Sequence, residues 1–230
     1  MFGIVKIINI VNPPHDCFPT DSTGTLRIGC QVNIALYYLS DIIAKFVTDF
    51  PKVKLEIRHE KRSLLSELLG KRDLDIIVSR LPFPDTNSLF KTSLLTDIPK
   101  SLFASRNFLQ THKLNTTLTS EQFCNASVIL PSRNRPDTKL FLETIGQNIT
   151  SPIEIAGSNE FIYEMIKRNV GIGYINNHCV NDGDDIVEVK IKGIALPKFD
   201  LGVTHNKDDN GKIVQEIIKR LKSELPTHLR

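Results

Sequence analysis

At 230 residues the chain is long enough for two lobes of about a hundred residues each, built around separate cores. A hydrophobic fraction of 40%, a charged fraction of 24% and ordinary counts of Gly (12) and Pro (12) exclude collagen-like, disordered and coiled-coil classes. A net charge of +3 falls far short of the Lys/Arg stripe that duplex binding needs, so no direct nucleic-acid contact by this chain is expected.

The opening stretch MFGIVKIINIVNPP is interrupted by Lys6 and Asn9 and lacks a basic n-region and a small-residue cleavage site, so it does not read as a secretory signal. No later stretch approaches the roughly 18 to 20 apolar residues needed to cross a bilayer, so no membrane partner and a cytoplasmic location are expected. NPPHDCFPTDSTG, from Asn12 to Gly24, is rich in Pro, Ser, Thr and Asp, which makes 1–24 an irregular lead-in or linker.

The folded body then starts near Thr25, with a short strand from Leu26 to Gly29. From Ile34 to Phe50, apolar residues at Ala35, Leu39, Ile42, Phe46 and Phe50, widened by Leu36, Ile43 and Val47, predict an amphipathic helix. Pro51 ends it, and Val53, Leu55 and Ile57 alternate with Lys54, Glu56 and Arg58 as a half-buried strand does. Ser63 is a candidate cap for a helix carrying Leu64, Leu65, Leu68 and Leu69, and LDIIVS, from Leu74 to Ser79, suits a strand buried on both faces. Strands alternating with helices predict an α/β lobe with a parallel sheet.

Thr119 with Gln122 fits a capping box on a short helix. The second half repeats the rhythm: a strand from Ser127 to Leu130, a helix from Pro136 to Ile145, a strand from Ile153 to Ala156, a helix from Asn159 to Arg168, and a strand from Ile172 to Ile175. A last helix from Lys212 to Leu225 offers a wide apolar face.

The stretch GTLRIGCQVNIALYYLSDIIAKFVTDFPKVKLEIRHE resembles the opening of the effector-binding domain of LysR-type transcriptional regulators. LLSELLGKRDLDIIVSR looks like that family's leucine-rich helix and following strand, and SNEFIYEMIKRNVGIGYIN like its late helix and G-x-G turn. Together they cover most of Gly24 to Lys222 in the expected order. The resemblance implies two Rossmann-like α/β lobes around a central cleft, as in type 2 periplasmic binding proteins. The chain would leave the first lobe near Ile98 to Ser105 and return near Asp200 to His205. Lobe I then comprises 25–100 with 204–230, and lobe II 101–203. The 24 residues ahead of the sensing segment do not read as a winged helix-turn-helix, so the chain is expected to be part of a longer regulator in preference to a stand-alone sensor.

In open α/β sheets, ligands collect beyond the carboxyl ends of the strands, where helix N-termini offer unpaired N–H groups to anions. Gln31, Val32 and Asn33 follow the first strand, beside Cys30. The resemblance puts Asn33 where the family often has an effector-facing Ser or Thr, and a helix N-cap is its alternative role. Arg62 and Ser63 open the second helix, at positions the family also points into the cleft. An Arg there favours a carboxylate or phosphate, with a solvated surface side chain as the alternative. Arg80, closing LDIIVSR, is grouped with them. Across the cleft, Pro131, Ser132, Arg133 and Asn134 follow a strand, and Ser158 and Asn159 begin a helix; ordinary capping would use the same residues.

Four cysteines (Cys17, Cys30, Cys124, Cys179) lie far apart without a CxxC pair and read as reduced thiols. Cys30 and Cys124 bring the family's peroxide sensors to mind, but no low-pKa thiol with a resolving partner is apparent. Six scattered histidines show no metal-ligand spacing, and no nucleophile elbow or phosphate loop occurs, so neither a metal, a cofactor nor catalysis is expected. The expected function is a sensor of a small, anionic metabolite, acting through a homodimer on DNA-binding modules outside this chain. The resemblance implies an antiparallel dimer that sets the first helix and the strand from Val53 to Arg58 against the mate's second lobe. A transport solute-binding protein is the alternative, and an enzyme on the same frame would need an acid or base cluster that the sequence does not offer.

Overall fold

The computed structural model describes residues 22–83, 89–146 and 148–225, so the expected lead-in lies outside the described residues up to residue 21. Strand β1 (Gly24–Cys30) buries Leu26, Ile28 and Cys30 and passes into one helical run: α1 (Val32–Ile34), a π turn (Ala35–Leu39) and α2 (Ser40–Asp49). The run starts before the expected Ile34 because the Ala35 N–H donates to the Gln31 carbonyl at 3.1 Å. Gln31 is therefore the N-cap and Asn33 is not.

Next come β2 (Val53–His59), α3 (Arg62–Gly70), β3 (Ile76–Arg80) and β4 (Phe90–Ile98). Lys61, and not Ser63, caps α3, since its carbonyl accepts the first helical bond from Leu65 at 3.0 Å. Pro99 then carries the chain into a second sheet. Its elements are β5 (Lys100–Ser105), α4 (Arg106–Thr111), β6 (Thr117–Leu118), α5 (Ser120–Asn125), β7 (Ser127–Pro131), α6 (Pro136–Ile145), β8 (Ser151–Ile155), α7 (Asn159–Lys167), β9 (Ile172–Asn176) and β10 (Ile186–Ile191). The chain returns to the first sheet with β11 (Phe199–Asn206) and ends in α8 (Lys212–Glu224).

The first sheet has the order β2-β1-β3-β11-β4, with β1 parallel to β2 and β3, and β11 antiparallel to β3 and β4. The second has the order β6-β10-β5-β9-β7-β8, in which β7 runs parallel to β8 and β9. Helices α2 and α8 cover one face of the first sheet through Phe46, Ile42, Ile217 and Leu221, and α3 covers the other through Leu65 and Leu69. In the second, Phe108, Phe123 and Phe141 pack on one face and Ile162 and Ile166 of α7 on the other. Burying side chains of this size stabilises each lobe by about 1.5–3 kcal/mol apiece before entropy is counted. Short α5 is held by a reciprocal capping box: Gln122 N–H donates to Thr119 Oγ1 at 3.1 Å, and Thr119 N–H to Gln122 Oε1 at 2.9 Å.

The G-x-G at the start of β9 is explained by two close approaches. A Cβ on Gly171 would stand 2.4 Å from the Ser127 carbonyl oxygen, and one on Gly173 would stand 2.5 Å from Ile166 Cδ1. Only Gly lets β7 and α7 come that near to β9.

Candidate functional site

The carboxyl end of β3 and the first turn of α3 lie together because β3 is buried from Ile76 to Ser79 and α3 packs on it. Their polar ends meet: Arg62 Nη2 donates to the Arg80 carbonyl at 2.8 Å and also to the Pro82 carbonyl. The Nε–H of Arg62 is buried and has no acceptor among the described residues. Burial, with neighbouring Arg80, lowers the pKa of this guanidinium. The Arg80 guanidinium lies 4.7 Å above the Phe199 ring and points across to the second sheet.

Its target there is Asp137, in the first turn of α6 after Pro136. Asp137 Oδ2 lies 2.8 Å from Lys100 Nζ and 3.1 Å from Arg80 Nη1, and both oxygens accept from Arg135 at 3.2 Å. Burial works against ionisation of this carboxyl, but Lys100, Arg80 and Arg135 together hold it well below the usual carboxylate range. Lys100, with its nitrogen 4.1 Å above the Tyr174 ring, has its pKa pulled down to about 8 by burial, against the opposing pull of Asp137.

A second tie joins the sheets through the π turn. Tyr37 donates to Glu160 Oε1 at 3.0 Å and stacks on His178 at 4.2 Å, while the Tyr38 hydroxyl lies 2.9 Å from His178 Nδ1. Burial lowers the His178 pKa to about 4, so the ring is neutral near pH 7. Gln31 Nε2, Asn159 Oδ1, Asn177 Oδ1 and His178 Nε2 are all buried without a hydrogen-bond partner among the described residues. Orphaned polar atoms in such number at helix starts and strand ends mark places for water or ligand.

Between the sheets opens a cavity of about 1010 Å³, walled by Arg62, Arg80, Phe83 and Phe90 on one side and by Asp137 and Leu140 on the other. Of the residues expected from sequence, Arg62 and Arg80 line it. Gln31 and Asn159 sit at the starts of α1 and α7, each with an orphaned polar atom. Asn33 is half-buried inside α1, Val32 and Ser63 are exposed, and Pro131 is buried in its pairing with Ile155 at the end of β7. Ser132 accepts from the Asn134 N–H at 3.4 Å in a local turn, and Ser158 caps α7 by accepting from Phe161. Arg133 turns outward to Glu154, because β8 runs beside β7 and offers a carboxylate there. Sequence reasoning missed Asp137, Lys100 and Arg135. The only local signal was an acid in the first turn of a helix that follows two arginines.

The described cysteines, Cys30, Cys124 and Cys179, are free and buried. Burial raises the Cys30 pKa to about 11 and the Cys179 pKa to about 12, and raises that of Cys124 as well. Cys17 lies outside the described residues. Among the described residues no cluster of three His, Cys, Asp or Glu side chains could hold a metal, and no helix is long and apolar enough to cross a membrane.

Comparison with known proteins gives a consistent placement. The LysR substrate binding domain family matches residues 19–226. The HTH-type transcriptional regulator EstR of Acinetobacter baylyi is 24% identical over 214 residues, which cover 88% of this chain and 69% of EstR. Among solved structures, the reduced regulatory domain of OxyR2 from Vibrio vulnificus superposes with a TM-score of 0.70 at 17% identity, covering 91% of this chain and 99% of that one. The effector binding domain of a BenM variant gives a TM-score of 0.67 at 16% identity, covering 86% and 92%. The fold is thus the two-lobed, type 2 periplasmic-binding-protein-like α/β architecture of these domains.

Proposed function

Because the chain belongs to the LysR substrate binding domain family, it is an effector-sensing regulatory domain, and we propose that its effector is a small anion recognised by Arg62 and Arg80 between the two sheets. The observation that carries this reading is the convergence of both guanidinium groups on one cavity wall, with Asp137 facing them from α6. Four cationic side chains line the cavity (Arg62, Arg80, Lys198, Lys207) against two acids (Asp137, Asp200), a balance that favours an anion. The family match, and not the architecture, carries the choice of a regulatory sensor over a transport solute-binding protein or an enzyme, since the architecture serves all three.

In this reading the sheets move as units about the crossing at Pro99 and the return ahead of Phe199. An effector shifts their arrangement only by touching the two sheets unequally in the two states. The shift is relayed through a homodimer to DNA-binding modules of the regulator, in the cytoplasm. Val47 on α2 and Ile57 on β2, 46% and 38% exposed, supply one side of the dimer surface, and Ile153 on the edge strand β8, 37% exposed, supplies the other. A thermal-shift screen of small carboxylates tests the anion reading, because a ligand at about a hundred times its Kd adds about 2.7 kcal/mol. A hit whose effect disappears in Arg62→Ala supports it, and no response across a broad metabolite panel overturns it.

A further inference from the structure

We infer that a second cavity, walled by the two chain segments that join the sheets, is a site for an uncharged ligand with an apolar body, and that its occupancy biases the arrangement of the sheets. The cavity measures about 360 Å³, within the size range of small-molecule sites. The outgoing segment, 98–101, and the return segment, 196–199, both line it, together with the end of β10. It opens where β10 leaves β5. Their pairing stops at Val189 and Leu102, and Lys190 and Ile191 pair instead with Thr117 and Leu118 of β6.

The lining sets the character of the ligand. Ile98, Pro99, Ile194, Leu196, Pro197 and Phe199 supply an apolar surface. Ser101, only 8% exposed, lines the same space, and its hydroxyl has no hydrogen-bond partner among the described residues. A buried hydroxyl left in this way is a place for a ligand's hydrogen bond. The charges cancel: two exposed acids, Asp97 and Glu188, stand against two exposed cations, Lys190 and Lys198. Lys100, the remaining charged group, is already committed to Asp137 at 2.8 Å. No net field draws an ion in, and an ion would lose water against the apolar wall.

Two contacts connect this cavity to the larger one. Lys198 and Phe199 line both, and the Arg80 guanidinium of the larger cavity lies 4.7 Å above the Phe199 ring. Lys100 lines the smaller cavity, and its partner Asp137 lines the larger. Because both joining segments wall the smaller cavity, its shape changes whenever one sheet turns against the other. A ligand that fits one arrangement better therefore favours it, and a ligand of the larger cavity acts back on the smaller by the same factor.

The test uses one ring in three charge states. Benzamide, benzoate and benzylammonium are titrated into the isotope-labelled intact protein, and NMR shifts are followed residue by residue. Benzamide should give saturable shifts at Ile98, Ser101 and Leu196, and shifts at Arg80 and Asp137 with the same Kd. Benzoate and benzylammonium should bind about ten-fold more weakly at the first three positions. Ser101→Ala should weaken benzamide about five-fold by removing a hydrogen bond, and Leu196→Trp, which fills the space, should abolish its binding. No response to benzamide at Ile98, Ser101 and Leu196, a charged probe that binds there as tightly, or an affinity unchanged in both variants overturns the site. Shifts there without any at Arg80 or Asp137 overturn the coupling between the cavities.

Discussion

Lys100 Nζ lies 2.8 Å from Asp137 Oδ2, and neither side chain is more than 1% exposed. Lys100 is the first residue of β5, directly after the crossing between sheets, and Arg80 of the first sheet reaches the same oxygen at 3.1 Å. One buried carboxylate therefore fixes the crossing strand and ties the sheets together. Removing it strands a fully buried ammonium, so Asp137→Ala should destabilise the protein by about 3–5 kcal/mol in denaturant unfolding. Adding Lys100→Met should return part of that loss, because the uncompensated charge goes with it. A single-variant cost below about 1 kcal/mol would mean that water or a mobile anion already neutralises the site.

The other tie between the sheets should respond to acid. His178 has a folded pKa of about 4, below its ordinary 6.5, so between those values the unfolded chain binds a proton that the folded chain does not. Its contribution to stability is complete above pH 6.5 and is lost as the pH falls toward 4. Glu160, which faces the ring, remains ionised over most of that window because its own pKa is lowered despite burial, and Asp137 stays ionised throughout. Unfolding free energy measured from pH 7 to pH 4 should decline, and His178→Asn should flatten the decline. Equal slopes in both proteins would remove His178 from the account.

The longer helices α2, α3, α6, α7 and α8 are legible in the sequence because their apolar residues repeat at helical spacing; α6 runs over the expected Pro136–Ile145, short α5 is found through its capping box, and short α4 is not among the expected elements. Strand β5 is not, since KSLFAS is buried at every position, Lys100, Ser101 and Ser105 included, and shows no two-residue alternation. Arg62 and Arg80 can be found in advance because ligand sites gather at strand ends. Asp137 cannot, because Lys100, which buries and charges it, stands 37 residues away, and an acid in a first helical turn is ordinarily a solvated partner of the helix dipole.

Peroxide should leave the described thiols untouched, although an OxyR2 regulatory domain shares the fold. Thiolate is the reactive form, and with pKa values of about 11 for Cys30 and about 12 for Cys179 almost none exists at pH 7. Differential alkylation of the native protein, read peptide by peptide, should find Cys30, Cys124 and Cys179 fully reduced after brief exposure to micromolar hydrogen peroxide. A sulfenic acid or disulfide at Cys30 would restore a redox role to the cleft.

The G-x-G turn gives a graded test of packing on β9. At Gly171 an added Cβ would meet the Ser127 carbonyl at 2.4 Å, and that backbone cannot retreat without parting β7 from β9, which pair at Val128 and Ile172. Gly171→Ala should cost about 3 kcal/mol in urea unfolding. At Gly173 the obstacles are the ends of the Ile166 and Ile162 side chains, which have rotamers to yield, so Gly173→Ala should cost about 1–2 kcal/mol. A Cβ on Gly183 meets nothing within 4 Å, and Gly183→Ala should stay within about 0.5 kcal/mol of the parent. The order matters more than the sizes, because only the first substitution collides with main chain. If Gly171→Ala proved as mild as Gly183→Ala, β9 would have to sit farther from β7 than their register requires.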